Sequence, residues 1–141
     1  MGLGLYIFHI FVVFPLLFYI AFFRGLVPLW VYHGITVLGL VIIVYHLYKA
    51  VIRWKEKSPA LWVNIMHIIF VGPLLVYIGK NDYNTPRWAF EVLALAAFAA
   101  LGYNVYQVII DVSKMRTVRP EEIYDKETAT APASAKGKGS V

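Results

Sequence analysis

The chain has 141 residues, 60% of them hydrophobic and 15% charged, with a net charge of +5 and no cysteine. Long uncharged runs at that composition exclude an ordinary soluble domain and point to a membrane protein. The missing cysteines exclude disulfides, thiolate metal sites and cysteine nucleophiles.

Met1 to Leu5 lacks the basic start of a cleavable signal peptide, and Tyr6 stands where a myristoylation pattern needs Ser or Thr. Leu3 to Phe23 is apolar except for His9 and is long enough to cross a bilayer as a helix. Arg24-Gly25 ends it. Pro28-Leu29-Trp30 opens a second span that runs to Ile52 and ends in the basic loop Lys49, Arg53, Lys55, Lys57. Ser58-Pro59 reads as a helix start, with Ser58 as cap. The third span covers Leu61 to Ile78. A turn-forming stretch from Gly79 to Thr85 follows it, and Pro86-Arg87-Trp88 opens a fourth span ending near Ile110. Thr117 to Val141 is polar and closes in low-complexity sequence, as expected of a flexible tail.

The motif His9-Ile10-x-x-Val13-x-Pro15-Leu16-Leu17-x-Tyr19-Ile20 recurs 58 residues later as His67-Ile68-x-x-Val71-x-Pro73-Leu74-Leu75-x-Tyr77-Ile78. The same gapless shift aligns Pro28 with Pro86, Trp30 with Trp88, Tyr45 with Tyr103 and Tyr48 with Tyr106. Shared hydrophobicity does not bring His, Pro, Trp and Tyr into one register. The expected fold is therefore an all-α membrane protein of four transmembrane helices, a tandem duplicated helical hairpin with a flexible C-terminal tail. Its units are residues 1–58, 59–116 and 117–141, and its expected symmetry is a pseudo-twofold along the membrane normal. All of the 13 Lys and Arg except Arg24, Lys80 and Arg87 lie at or beyond the ends of the second and fourth spans. Both termini and the middle loop are thus expected on the cytosolic side.

Ionisable groups at membrane depth need a reason. The repeat pairs His9 with His67, His33 with Glu91, and His46 with Asn104. The favoured role is hydrogen bonding between helices, with His9 facing His67 and His33 sharing a charge-assisted bond with Glu91. Haem ligation by His9, His46 and His67 is one alternative, and a proton or ion path along the His, Glu and Tyr groups is another. Pro15 and Pro73 are expected to kink their helices, freeing the carbonyls of Phe11 and Ile69. The Ala-rich fourth span allows close helix approach. Tyr32, Thr36, Gly39, Ile43 and His46 follow heptad spacing, which predicts an inward seam, while Trp30, Tyr32, Tyr83 and Trp88 read as an interface belt. Arg53, Lys55 and Lys57, with Lys114, Arg116 and Arg119, are candidates for contact with anionic headgroups or a partner, and nothing in the pattern calls for nucleic acid. No zinc motif, phosphate loop or serine elbow is present, so neither a metal nor an enzymatic activity is expected.

The pattern His-Ile-x-x-x-x-Pro-Leu-Leu-x-Tyr-Ile, then Pro-x-Trp, then Tyr-x-x-Tyr, resembles small multi-span membrane proteins of large icosahedral DNA viruses of algae and protists. The resemblance covers roughly residues 3 to 112. Some proteins of that group are minor capsid components seated in the internal membrane beneath the shell. The resemblance implies a structural protein of the virion that tethers that membrane to the capsid through the basic loop and the tail. Its implied partners are the bilayer and capsid or other virion proteins, with association to other membrane proteins also open. Outside that group, a small redox or ion-conducting membrane protein, or an assembly adaptor of cellular membranes, carries the same features.

Overall fold

A computed structural model describes residues 2–130, with side chains placed to Met115. Four helices are long and apolar enough to cross a membrane, and no strand occurs among the described residues. We label them α1 (Leu3–Phe22), α2 (Leu29–Lys55), α3 (Leu61–Asn84, its last three residues a 3-10 turn) and α4 (Arg87–Thr130). Large apolar side chains such as Phe11, Val44, Ile69 and Leu95 point outward, as a lipid-facing surface requires.

Both copies of the motif build the same local irregularity. The backbone widens into a π-helical turn at His9–Val13 and again at His67–Val71. In each, the N–H before the proline reaches back five residues, Phe14 to His9 and Gly72 to His67. Each proline then stands in the first turn of the next α-helical segment. A missing N–H matters least there, because a first-turn donor has no partner within its own segment. The kinks expected at Pro15 and Pro73 thus take the form of wide turns, which carry the ladder past a residue that cannot join it.

The helices pair across the duplication rather than within it. α1 lies along α4, and α2 along α3, while the contact between α3 and α4 is slight. The first helix of each copy therefore packs on the second helix of the other, as a pseudo-twofold demands. The α2–α3 seam is close. A Cβ added at Gly39 would sit 2.8 Å from the carbonyl oxygen of Gly72, and one at Gly79 would sit 2.6 Å from that of Tyr32. Without a hydrophobic force between helices in lipid, such backbone approach supplies the dispersion contact that holds them. On the α1–α4 seam Phe14 and Phe18 pack on Phe98 at centroid distances of 5.5 and 5.8 Å. The seam expected along α2 does face inward: Tyr32 and Gly39 are buried, and Thr36, Ile43 and His46 half-buried. The Ala-rich span contributes buried Ala89 and Ala97, but the nearest backbone approach belongs to the glycines.

The two ends of the bundle differ. At the short-loop end the core is dense, gathering Ile20, Val27, Tyr32, Ile78 and Phe90. The Tyr32 hydroxyl donates to the carbonyl of Arg24, and Tyr83 donates to that of Val27 at 2.9 Å, so the two short loops are tied together. Tyr32 is fully buried, which corrects its assignment to the interface belt; Trp30, Tyr83 and Trp88 remain exposed. At the basic end α2 stops on a Schellman-type turn. Lys57 adopts φ 50°, the Ser58 N–H bonds to the carbonyl of Arg53, and the Lys57 N–H bonds to that of Trp54. Ser58 and Pro59 belong to this turn, and α3 starts only at Leu61. The fourth span was expected to end near Ile110, yet α4 continues as a helix to Thr130. Residues 131–141 of the tail lie outside the described residues.

Candidate functional site

Toward the basic end the bundle holds a cavity of about 550 Å³ lined by all four helices. His9, His46, His67 and Asn104 all border it, joined by Asn64, a residue the repeat does not single out because its counterpart is Tyr6. Lys49 and Arg53 of α2 stand at its basic end, and no Asp or Glu lines it.

Each histidine is held by its own hydrogen bond. His9 Nδ1 lies 2.8 Å from the carbonyl oxygen of Leu5, and His67 Nδ1 lies 2.7 Å from that of Val63, one turn back in each case. The wide turns begin at these two residues, so ring and backbone are fixed together. His46 Nδ1 lies 2.9 Å from Asn64 Oδ1. The Asn64 amide nitrogen faces the carbonyl of Ala60, which also accepts from Arg53 at 2.9 Å, and this sets which end of the amide meets His46. All three acceptors are oxygens without a proton, so Nδ1 carries the N–H in each ring. The neutral tautomer then leaves each Nε2 as a lone pair with no protein hydrogen bond among the described residues. His46 and His67 stack at 4.1 Å with 14° between planes.

The polar pairs expected from the repeat register are not the pairs that form. His67 stacks on His46 of the neighbouring helix and not on His9. His46 bonds to Asn64, whereas Asn104 donates at 2.7 Å to the carbonyl of Ala100 in its own helix. His33 is exposed, and Glu91 accepts from Arg87 at 2.6 Å, a surface pair one turn apart, so His33 and Glu91 do not meet. Symmetry makes two positions equivalent. It brings them into contact only when both face the axis, and these two face outward.

Comparison with protein families, characterised proteins and solved structures finds no match to this chain. Bis-histidine haem ligation needs two rings opposed across a gap, but the two rings in contact lie face to face. Among the described residues no cluster of His, Asp and Glu has metal-binding geometry. Of the basic residues singled out in the sequence, Arg53 is half-buried at the cavity, while Lys55, Lys57 and Lys114 are exposed. The side chains of Arg116 and Arg119 lie outside the described residues.

Asn64, Gly72 and Gly79 were the residues that sequence reasoning missed. Gly72 and Gly79 lie one heptad apart on α3, facing the seam already visible on α2. That spacing is the signal that exposes them. Asn64 carries a simpler one, as a polar residue inside an apolar span one turn before His67.

Proposed function

We propose that this chain is a structural multi-pass membrane protein that ties a bilayer to a protein layer lying against its basic end. In its specific form, drawn from the resemblance of the repeat, the bilayer is the internal membrane of a virion and the layer is the capsid shell. The basic loop and the C-terminal region then face the shell, on the side that was cytosolic before the membrane was enclosed. The supporting observation is the length of α4. The helix continues 15 residues beyond Met115, the end of its apolar span, to Thr130. At the helical rise this is an arm about 22 Å long. It leaves the bundle at the end where α2 delivers Arg53, Lys55 and Lys57, so a cationic surface and a protruding helix lie together. An arm of that kind suits contact with a partner beyond the headgroups, and the basic loop suits the anionic headgroups themselves.

Removing residues 117–141 is expected to leave membrane insertion intact and to lower incorporation into particles severalfold, measured by immunoblot of purified virions against total membranes. Normal incorporation of the truncated chain would sink the tethering role.

A further inference from the structure

The cavity at the basic end has a polarity gradient that a packing role for its residues does not require. At its deep end Leu17, Leu74, Leu93 and Ala96 form apolar walls. Toward the loop come His46, Lys49, Arg53 and Asn64. Trp62 and Leu74, which both line it, are twelve residues apart on α3, so the cavity runs about 18 Å along the helix axis. It is thus cationic at one end and apolar at the other, and it lies where headgroups meet hydrocarbon.

The duplication sharpens the point. In the second copy the places of Lys49 and Arg53 are taken by Gln107 and Asp111, while Tyr45 keeps its twin Tyr103. Only one half of the pseudo-symmetric bundle thus carries these cations, and both line the cavity. The bond from Arg53 to the carbonyl of Ala60 fixes one arm of its guanidinium and leaves other donors available.

We propose that this cavity binds one anionic phospholipid. Lys49 and Arg53 take the phosphate, and an acyl chain runs down the wall of Leu74, Leu93 and Ala96. Each part of the ligand answers an independent feature: charge at the mouth and apolar length below.

Native mass spectrometry of the full chain released from detergent micelles tests this directly. Phosphatidylglycerol, phosphatidylcholine and inorganic phosphate are titrated separately. The expected result is one retained phosphatidylglycerol, bound about tenfold more tightly than phosphatidylcholine, with no comparable adduct from inorganic phosphate. Lys49→Ala at the mouth and Ala96→Leu on the apolar wall should each weaken that binding by about tenfold, with helicity by circular dichroism unchanged. Should Ala96→Leu fail to fold, Lys49→Ala alone decides. Equal retention of phosphatidylcholine, inorganic phosphate binding as tightly as the lipid, absence of any adduct, or no effect of Lys49→Ala would each overturn the assignment.

Discussion

The α2–α3 and α1–α4 seams occupy equivalent places in the duplicated bundle and are packed by opposite means. On the first, Gly39 and Gly79 let backbone meet backbone, and Gly72 makes room for the Ile43 side chain. On the second, the twin positions are Ala97, Phe14 and Ala21, and ring contacts among Phe14, Phe18 and Phe98 fill the space. One duplicated hairpin has thus produced two interfaces of the same topology. Lipid tails give no net drive to bury apolar surface, so either means must succeed through fit alone. The tight seam sits between helices joined by the basic loop, and it carries the stacked His46 and His67 at its open end. Of the three histidines at the cavity, the aromatic seam brings only His9.

The largest expected effect comes from exchanging residues between twin positions. Gly79→Ala places a methyl against the Tyr32 carbonyl oxygen, at 2.6 Å, and against the Thr36 hydroxyl. Helix backbones cannot yield locally, so the loss of stability should be about 2 to 3 kcal/mol. The reciprocal Ala21→Gly change should cost only about 1 kcal/mol, chiefly helix propensity. Thermal or denaturant unfolding in detergent measures both. If Ala21→Gly proves the more damaging change, the contrast between the seams is wrong.

A second comparison sets Asn64 against its twin Tyr6. Both are buried, but only Asn64 reaches across to another helix. Asn64→Leu removes the acceptor of His46 Nδ1 and leaves that N–H unpaired, at an expected cost of about 1 to 2 kcal/mol. Tyr6 makes no hydrogen bond among the described residues, so Tyr6→Phe should change stability by less than about 0.5 kcal/mol. Equal costs at the two positions would mean that the His46–Asn64 bond does not help to hold α2 to α3.

These contrasts also mark what was legible in the sequence. The four spans, the duplication and the inward seam of α2 follow from hydropathy and from residues that only register aligns, such as His67, Pro73 and Trp88. The wide turns were not legible. A proline announces a lost bond, but whether the helix bends or widens depends on neighbours in space. The polar pairs failed for a geometric reason. Pairing His33 with Glu91, or His9 with His67, assumed that equivalent residues touch. The contacts that form, His46 with Asn64 and His46 with His67, join positions that the repeat does not equate. They arise because α2 lies on α3, a neighbour relation that register alone cannot supply. Tyr32 shows the same limit: heptad spacing put it inside and aromatic character put it at the interface, and only packing decides between them.

A third contrast has opposite signs in the two copies. Lys57 and Met115 are twins, yet α2 ends at Lys55 and α4 passes through Met115 as helix. Lys57 holds a left-handed conformation that closes the α2 terminus, and a non-glycine residue there is strained by its Cβ. Lys57→Gly should therefore stabilise the protein by about 1 kcal/mol. Met115→Gly puts the same residue in the interior of a continuous helix and should destabilise by a similar amount, about 1 kcal/mol. Chemical unfolding followed by circular dichroism resolves shifts of this size if both variants are run beside the parent chain. The pair isolates backbone conformation from everything else the two positions share, because both side chains are exposed and the substitution is the same. Stabilisation at both sites would mean that α4 ends before Met115 as α2 ends before Lys57, and the arm assigned to the tether would lose its helical base.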